Sequence, residues 1–498
     1  MLSVGYQYIV DKLELKVLPL RAPAQVRSVT RIEPLEHLLA VPQRLAPGDS
    51  LVEHLLFALK HEGTELAVLA AAFRQLDPAE LLTALRRTPS GAYIRALCYL
   101  WEWLTNKTLT DLPEGLGGRS HALFDPARYL TSSHTRQDSR WHIVNNALGD
   151  SVYCPSIRRT PELEALLAQD PLCQVQDYLR EVPAQTLDRV LAWAYLHETR
   201  SSYEIEREHP TPIKAEAFAA LLRQVREHRQ LNEHYLTELQ NAAVTNVFVR
   251  EGSYRHTQNY LTNGTQGALG VTYLPPPPAL IDGLMQSLYG LAHGEQAVGI
   301  NPLVRAALVS FGFVLIHPFG DGNGRLSRFL AHYTLARTGA LPDGMILPLS
   351  IAMKRHEAAY LQALQDFSSP ARKLWDVRWI DGDDYLFNFQ GDDAIYRYWD
   401  ATEATTFTFK MALETLRHDL KAEVHYLNSY DTVVRAVNDR FDIQGPLLTN
   451  LVRFAYQNGG RISNHRRKQY AGQVAPEILD YIEELLKPLS PQESINAT

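Results

Sequence analysis

The strongest constraint on the fold is an apolar helical segment that ends abruptly in a glycine-rich break. Residues 302–316 read PLVRAALVSFGFVLI and are apolar on nearly every side, which is typical of a helix at the centre of a domain. The pattern breaks at 317–324, HPFGDGNG, and apolar residues from Leu326 to Tyr333 then recur at helical spacing. The sequence therefore predicts a buried helix, a loop, and a second helix that begins near Arg325.

The loop between these helices has the composition of an anion-binding site. Gly320, Gly322 and Gly324 free the backbone to approach a ligand closely. They lie just before a helix, whose first N–H groups are unpaired and carry a positive partial charge. Arg325 and Arg328 leave the same side of the first helical turn, and their guanidinium groups suit phosphate oxygens. The segment therefore predicts a phosphate-binding loop.

Three further residues of the loop suggest chemistry. Asp321 is a hard oxygen ligand of the kind that holds Mg²⁺ on a polyphosphate. His317 ends the first helix, and its side chain has the basicity of a general base at neutral pH. Phe319 is expected to point into the core and anchor the loop. Each feature alone has an ordinary structural interpretation, such as a simple turn or a solvated helix face, but their combination favours phosphate transfer.

Residues 317–328, HPFGDGNGRLSR, match each fixed position of the signature HxFx[D/E]GNGRxxR and so resemble the Fic-domain family. The resemblance extends upstream through SSYEIERE and QNYLTNGTQGALGVTYLPPPP, and downstream to about residue 350. It implies a mainly α-helical fold: a Fic-type core with a β-hairpin flap, extended by helical N- and C-terminal regions. Residues 1–110 and the tail after about 380 carry nothing as diagnostic.

Fic proteins mostly transfer AMP from MgATP to a Ser, Thr or Tyr hydroxyl of a target protein and release pyrophosphate. The resemblance implies that His317 deprotonates the target hydroxyl and that Asp321 holds Mg²⁺. It implies that Arg325 binds the β-phosphate and Arg328 the γ-phosphate. The remaining loop residues would form the nucleotide-binding nest: Gly322, Asn323 and Gly324.

Two of these glycines bear on which group is transferred. The kinase-like branch of the family carries Lys at the position of Gly324, and the phosphocholine-transferring branch carries Ala at the position of Gly322. This chain has glycine at both positions, which favours AMP transfer from ATP. The motif leaves transfer of UMP or GMP open.

An upstream segment resembles the family's inhibitory helix, [S/T]xxxE[G/N]. Here the motif runs from Ser202 to Glu206, and the resemblance implies that Glu206 pairs with Arg328 and excludes the ATP γ-phosphate. Whether Glu206 also supports removal of AMP stays open. Position 207 is Arg where the family prefers Gly or Asn, which leaves the strength of inhibition open. Taken alone, Ser201 and Glu204 would indicate only a short, capped surface helix that starts here.

The flap is predicted at residues 258–274, where β-forming residues alternate with NG, QG and LG turn signals. The resemblance implies that it holds a target segment in extended form by strand addition. It also leaves self-modification and a homodimer open.

Composition limits the other classes of function. The formal net charge of −7 gives no general attraction for nucleic acid or anionic membranes, and no apolar run approaches the length of a membrane span. Three widely spaced cysteines argue against a disulfide framework, and the N-terminal residues lack the features of a leader, so a cytoplasmic protein is expected. The alternative function is a nucleotide-sensing regulatory protein that binds DNA or a partner through its C-terminal region. The basic cluster 465–468 there is more typical of a solvated turn.

Four regions are expected along the chain: 1–110, mainly helical and of unknown role; 111–200, a connecting region; 201–380, the catalytic core; and 381–498, helical. Within them the patterns predict one or two strands in residues 1–30 and one long helix over 214–240. They also predict helices over 380–440 and several short helices over 445–490.

Overall fold

A computed structural model describes residues 2–227, 229–244, 249–382 and 384–487. The chain divides into two compact units: residues 1–174 with 195–412, and residues 175–194 with 413–498. Helices dominate the described residues, which confirms the predicted mainly α-helical class. In the part of the chain that is described, no helix is both long enough and apolar enough to cross a lipid bilayer.

The helices are α1 (Gly5–Lys12), α2 (Leu51–His61), α3 (Leu66–Phe73), α4 (Pro78–Arg87), α5 (Ala92–Thr105), α6 (Pro161–Gln169), α7 (Pro171–Arg180), α8 (Ala184–Ile205), α9 (Pro212–Arg223), α10 (Glu233–Ala243), α11 (Ile281–His293), α12 (Pro302–Ile316), α13 (Asn323–Arg337), α14 (Leu349–Arg355), α15 (Glu357–Arg372), α16 (Ala394–Arg397), α17 (Thr402–Glu414), α18 (Lys421–Asn438), α19 (Gly445–Gln457), α20 (Asn464–Tyr470) and α21 (Pro476–Leu486).

The strands are β1 (Ala24–Arg27), β2 (Glu33–Leu35), β3 (Leu38–Pro42), β4 (His121–Ala122), β5 (Arg136–Asp138), β6 (Ile143–Asn145), β7 (Leu261–Thr262), β8 (Val271–Tyr273), β9 (Trp375–Asp381) and β10 (Asp384–Phe389). They form two small three-stranded sheets, ordered β1-β3-β2 and β4-β6-β5, and two hairpins, β7–β8 and β9–β10.

The first unit has the predicted buried helix at its centre. In α12, twelve of fifteen residues are buried, which explains why the sequence is apolar on nearly every side. Asn301 begins the helix by accepting the backbone N–H groups of Leu303 and Val304, and Pro302 occupies the first turn, where a missing N–H costs nothing. Helices α11 and α13 pack against α12. A separate apolar cluster in the N-terminal part is built mainly from α2, α3 and α5.

The predicted flap hairpin is present. Leu261 of β7 lies opposite Tyr273 of β8 in an antiparallel pair, with an irregular step at the next position. A second hairpin, β9–β10, packs its aromatic face against the flap, and Tyr260 contacts both Tyr385 and Phe387. The prediction of helices from residue 380 is therefore wrong at this point. Large apolar residues recur with period two on both sides of the Asp-Gly turn, at Trp375, Val377 and Trp379 before it and at Tyr385, Phe387 and Phe389 after it, which is the pattern of a hairpin.

Two predictions upstream of the flap are also wrong. The single helix over 214–240 is two helices, because Asn232 accepts the N–H of Tyr235 and starts α10 anew. Ser201 and Glu204 do not start a helix but lie in the last turn of α8. The buried face of α8 continues at every fourth residue through this region, which favours helix continuation over the local capping pattern.

The N-terminal 30 residues form one helix and one strand. The strand is β1, which pairs in parallel with β3. The alternating run at residues 13–20, LELKVLPL, is fully described and contains no strand. Alternation over so short a segment does not specify a strand unless another strand is available to pair with it.

The second unit has its own apolar core, formed by α18, α19 and α21 around residues such as Val433, Leu451 and Ile482. The short helices predicted over 445–490 are present as α19, α20 and α21. The basic cluster 465–468 lies in α20, where Arg467 forms ion pairs of 2.7 Å with Asp480 and 2.6 Å with Glu483. Pairing within the unit reduces the positive charge that this cluster presents to solvent.

Candidate active site

His317 lies immediately after α12 and is held in one orientation. Its backbone adopts the left-handed region, with φ 52° and ψ 60°, so the chain turns sharply there. Its ring Nδ1 lies 3.1 Å from the carbonyl oxygen of Val314. Because a carbonyl can only accept, Nδ1 must carry the proton, which leaves Nε2 as the basic nitrogen.

The electrostatic surroundings keep the His317 ring neutral. Burial is the largest effect and lowers the pKa of His317 to about 4. The positive charge of Arg255 also lowers this pKa, whereas the Val314 carbonyl and the carboxylates of Glu206 and Asp321 raise it. At neutral pH the imidazole is therefore uncharged and able to accept a proton at Nε2.

Asn323 braces the loop that follows His317. Its side-chain Oδ1 accepts the N–H of Phe319 at 3.1 Å, and its Nδ2 donates to the Phe319 carbonyl at 2.8 Å. Asn259, at the start of the flap, donates to the same carbonyl at 3.0 Å. The Phe319 ring is fully buried and meets Tyr254 edge to face. The amide of Asn323 is thus used inside the protein, and only its backbone N–H remains for a ligand.

The start of α13 offers free amide donors. Gly322 has φ 84°, a conformation that favours glycine, and its N–H is taken by Oδ1 of Asp321 at 2.6 Å. In the described residues, the next three N–H groups have no protein acceptor: those of Asn323, Gly324 and Arg325. Three adjacent free N–H groups at a helix N-terminus form an anion-binding nest.

Arg328 is bound to the upstream segment that resembles the inhibitory motif. Its Nε donates to Oγ of Ser202 at 2.8 Å, and its Nη2 donates to the Ser202 carbonyl at 2.7 Å and to Oε1 of Glu206 at 2.8 Å. The arginine is only 2% exposed, yet its Nη1 has no partner among the described residues. A buried donor without a partner can donate to an additional anionic oxygen.

Arg325 is engaged by the same upstream segment, at a contact that the sequence did not indicate. Its Nη1 lies 3.0 Å from Oε2 of Glu208 and 3.0 Å from the carbonyl of Ala243, and its Nη2 lies 3.1 Å from Oδ1 of Asp321. Its guanidinium also lies over the ring of Tyr203, 5.1 Å from the centroid. Both arginines of the motif are therefore neutralised by carboxylates of residues 206–208.

Glu206 lies directly over the start of α13. A Cβ built on Gly324 would overlap Oε1 of Glu206, so the carboxylate can occupy this place only because residue 324 is glycine. The carboxylate therefore occupies part of the region around the anion-binding nest. A phosphate group drawn to the same donors would compete with it.

The end of α8 shows what the departure of position 207 from the inhibitory-helix motif costs. The N–H of Arg207 bonds to the Glu204 carbonyl and the N–H of Glu208 to the Tyr203 carbonyl, each at 3.0 Å. This pair of bonds is the Schellman arrangement, and it places Arg207 in the left-handed region with φ 58°. Gly and Asn adopt that region most readily, and arginine does so at a cost. Helix α8 therefore ends with the geometry that the motif requires, but with a less favourable residue.

Asp321 is the residue that could hold a divalent cation. Its side chain is 41% exposed, and only its Oδ1 is bonded within the described part of the chain, to Gly322 and Arg325. The described residues contain no cluster of three or more His, Cys, Asp or Glu that could bind a metal by themselves. One carboxylate fits Mg²⁺ nevertheless, because Mg²⁺ beside a nucleotide takes most of its ligands from phosphates and water.

Most residues predicted from the motif lie together in the first unit. His317, Asp321, Asn323, Arg325 and Arg328 surround one small region, and Ser202 and Glu206 close it from the opposite side. The sequence did not indicate Glu208 or Arg255, because their partners are distant along the chain and neither belongs to the short motif. One pattern could have suggested Glu208: it is a second glutamate two positions after Glu206.

Comparison with known proteins gives a family match that includes the loop after α12 and most of α13. Residues 230–335 match the Fic/DOC family. The chain is 34% identical over 117 residues to "Protein adenylyltransferase Fic" of Culex quinquefasciatus, covering 24% of this chain and 20% of that protein. It is 28% identical over 142 residues to "Protein adenylyltransferase fic-1" of Caenorhabditis elegans, covering 28% of this chain and 26% of that one. The chain thus spans only about a fifth to a quarter of the length of these curated relatives.

Solved structures with some likeness include a Fic domain containing signaling protein from Bacteroides thetaiotaomicron VPI-5482, with a TM-score of 0.38 and 17% identity over 53% of this chain and 96% of that one. A Fic family protein from Desulfovibrio desulfuricans G20 has a TM-score of 0.38 and 18% identity over 64% of this chain and 85% of that one. The sequence match, and not these structures, identifies the region around the site. The chain therefore carries a domain of the Fic/DOC family, matched at residues 230–335.

Proposed function

We propose that this chain is a protein adenylyltransferase, a nucleotidyltransferase that moves AMP from ATP to a Ser, Thr or Tyr hydroxyl of a target protein. The observation that carries the proposal is the placement of a neutral His317 next to an anion-binding nest and two buried arginines. The names of the curated relatives that this chain matches in part support the same activity.

His317 acts as the general base. Its Nε2 takes the proton from the target hydroxyl while the hydroxyl oxygen attacks the α-phosphorus of ATP. A bond forms between that oxygen and the α-phosphorus, and the bond from the α-phosphorus to the bridging oxygen breaks. Pyrophosphate leaves with the bonding electrons. Because Nδ1 is fixed by Val314, the ring presents Nε2 in one direction only.

The nest and the arginines position the triphosphate and stabilise its charge. The free N–H groups of residues 323–325 face the phosphates, with Arg325 on the β-phosphate and Arg328 on the γ-phosphate. Asp321 would hold Mg²⁺, which would neutralise part of the phosphate charge. The guanidinium groups of Arg325 and Arg328 hold carboxylates in the present structure, and the phosphates of ATP replace those carboxylates when the nucleotide binds.

The flap holds the target. Strand β7 pairs with β8 on one side only, within a two-stranded sheet, so an extended segment of the target can add as a further strand. Asn259 joins the base of the flap to Phe319 in the glycine-rich loop of residues 317–324, the catalytic loop of this proposal. This link places the added segment close to His317.

The proposal includes self-inhibition through Glu206. The Glu206 carboxylate pairs with Arg328, which would otherwise bind the γ-phosphate. ATP must therefore displace Glu206 or bind without its γ-phosphate in the productive position. We propose the cytoplasm as the site of action, from the cysteine usage seen in the sequence.

The test is transfer of label from ATP that carries the label in its α-phosphate, in the presence of Mg²⁺ and a cell lysate. Three forms are compared: wild type, Glu206→Gly, and Glu206→Gly with His317→Ala. Label is expected to appear on protein with Glu206→Gly and to vanish in the double variant. Label on the chain itself would report self-modification. Release of AMP from labelled protein by the wild type but not by Glu206→Gly would assign AMP removal to Glu206.

A matched control uses ATP labelled in the γ-phosphate. AMP transfer leaves that label in pyrophosphate, whereas a kinase reaction would place it on protein. If no variant incorporates the α-label although each binds ATP, the proposed activity is refuted. If UTP or GTP labelled in the α-phosphate gives stronger label than ATP, the transfer chemistry stands and the proposed choice of ATP is overturned.

A further inference from the structure

Arg255 is a buried arginine that has no carboxylate partner among the described residues. It is 7% exposed, and burial lowers the pKa of its guanidinium to about 10. Its donors go entirely to backbone carbonyls: Nε to His317 at 2.8 Å, Nη1 to Thr257 at 3.1 Å and Nη2 to Pro276 at 2.6 Å. A charged group is rarely buried in this way without a carboxylate, so its position calls for an explanation.

The three carbonyls belong to three different segments. His317 belongs to the catalytic loop, Thr257 lies before the first strand of the flap, and Pro276 lies after the second. The N–H of Arg255 itself bonds to the carbonyl of Pro318 at 2.8 Å. One side chain and its own backbone therefore join both ends of the flap to the two residues that begin the loop.

The His317 carbonyl has a particular need for such a partner. Helix α12 ends at Ile316, so the last carbonyl groups of the helix have no N–H partner within it. This end of the helix therefore carries a negative partial charge. A cation at a helix C-terminus stabilises that end. His317 also holds a left-handed backbone conformation that a side chain normally disfavours. The Arg255 contact opposes relaxation of this strained residue.

We propose that Arg255 is the positioning residue that couples the flap to His317, so that the site that holds the target and the base that deprotonates it move as one rigid unit. This inference rests on the proposed function and extends it to a residue outside the sequence motif. Arg255 does not touch the reacting atoms. It acts through the carbonyl of His317 and through the two ends of the flap.

Arg305 provides a matched control for this proposal. It is also 7% exposed, its pKa is also lowered to about 10 by burial, and its guanidinium also bonds to backbone carbonyls, those of Leu291 and Ala292 at the end of α11. It contacts neither the flap nor the catalytic loop through these bonds. If buried arginines only stabilise the fold, substitution of Arg255 and substitution of Arg305 should have the same effect on the flap and on catalysis.

The experiment compares Arg255→Met, Arg255→Lys and Arg305→Met, each in the Glu206→Gly background. The first readout is amide hydrogen exchange of residues 259–273, which needs no catalytic activity. Arg255→Met is expected to speed this exchange by about tenfold or more, since several charge-assisted hydrogen bonds are lost. Arg305→Met is expected to leave exchange in the flap unchanged. It is expected to lower the melting temperature by about as much as Arg255→Met does.

The second readout is AMP transfer. We expect Arg255→Met to lower kcat by about 100-fold, as is typical when a catalytic group is displaced by a small distance, with KM for ATP nearly unchanged. Arg255→Lys is expected to restore little, because an ammonium cannot reach three carbonyls at once, whereas added guanidinium ion is expected to restore part of the rate in Arg255→Met.

Equal effects of Arg255→Met and Arg305→Met on exchange in the flap would overturn the proposal, whether or not AMP is transferred. Faster exchange in the flap with an unchanged kcat would overturn it as well, since the base would then be positioned independently. If the Glu206→Gly parent transfers no AMP, the proposed function fails, but the exchange measurement still decides whether Arg255 fastens the flap to the loop.

Discussion

At the scale of single residues, the site depends on side chains and backbone angles that are unfavourable outside their context. His317 is buried with its ring neutral, and Arg207 ends α8 in a left-handed conformation. Glu206 is accommodated only because residue 324 has no Cβ. Each of these local costs coincides with a contact that the proposed reaction or its inhibition needs, as is common where structure serves function.

The low pKa of His317 predicts the acid limit of the reaction. The base form of the ring is present above its pKa, which burial lowers to about 4. In the Glu206→Gly background, kcat/KM is therefore expected to stay constant as the pH falls from neutrality through the ordinary range of histidine, and to fall only near pH 4. A pH–rate profile with an acid limb centred near the ordinary histidine pKa of about 6.5 would contradict this environment for His317.

Arg207 predicts a stabilising substitution. Arg207→Gly removes the cost of a left-handed conformation, about 1 kcal/mol, and is expected to raise the free energy of unfolding by that amount. A firmer end of α8 should also hold Glu206 more tightly, so the Arg207→Gly variant should incorporate less label than the wild type. Denaturant unfolding and the labelling assay measure the two effects. Arg207→Ala is the control: it removes the charged side chain but keeps the Cβ, so an equal effect of Ala and Gly would assign the change to the side chain.

At the scale of elements, α8 and the turn that ends it contact α13 at three places. Glu208 forms an ion pair with Arg325 and Glu206 forms one with Arg328. Upstream in α8, Oε1 of Glu198 lies 2.8 Å from Nε2 of His332, and both side chains are buried. Glu198 also accepts the N–H of Ser350, at the start of α14. Repeated contacts of this kind fix the position of α8 along α13, so the turn that carries Glu206 is held by the whole helix and not by Glu206 alone.

Glu208 is therefore expected to contribute to inhibition. Glu208→Gln weakens the ion pair with Arg325. This variant should incorporate about 5-fold more label than the wild type, which is the lower end of the range typical of coupled sites. Combined with Glu206→Gly it should add less than its own effect, because both carboxylates oppose the same ligand. Glu216→Gln, at an exposed position of α9, is the matched control and should change nothing. Full additivity in the double-mutant cycle would show that Glu208 acts elsewhere.

At the scale of the whole molecule, every residue of the candidate site belongs to the first unit, and the second unit has an apolar core of its own. Leu451 is fully buried in that second core, surrounded by residues of α18 and α21. Separate cores are expected to unfold as separate cooperative units.

Leu451→Ala is thus expected to destabilise the second unit by about 2–5 kcal/mol through the cavity it creates. Hydrogen exchange in α18, α19 and α21 should rise accordingly, while exchange in α12 and α13 stays the same. In the Glu206→Gly background, AMP incorporation at 25 °C should also be unchanged. Loss of protection in α12 or α13 would show instead that the two units unfold together.

The sequence alone determined the elements whose information is local. The apolar run of α12, the glycine-rich loop, the two motif arginines and the flap turn signals each lie within a short stretch, and periodicity or turn chemistry predicts their structure. The same local reasoning failed at the β9–β10 hairpin and at the break before α10, where period-two alternation and a single Asn cap were the deciding signals.

Only the tertiary structure decided which residues meet across long stretches of chain. Arg255 reaches His317 from 62 positions away, and Glu208 reaches Arg325 from 117 positions away. The Arg255 contact leaves no mark in the local pattern, because a buried arginine that bonds to carbonyls has no complementary residue type in the sequence. The motif thus names the groups that carry the proposed chemistry, whereas packing decides their burial, their pKa and their orientation, since these depend on which distant segments exclude water from them.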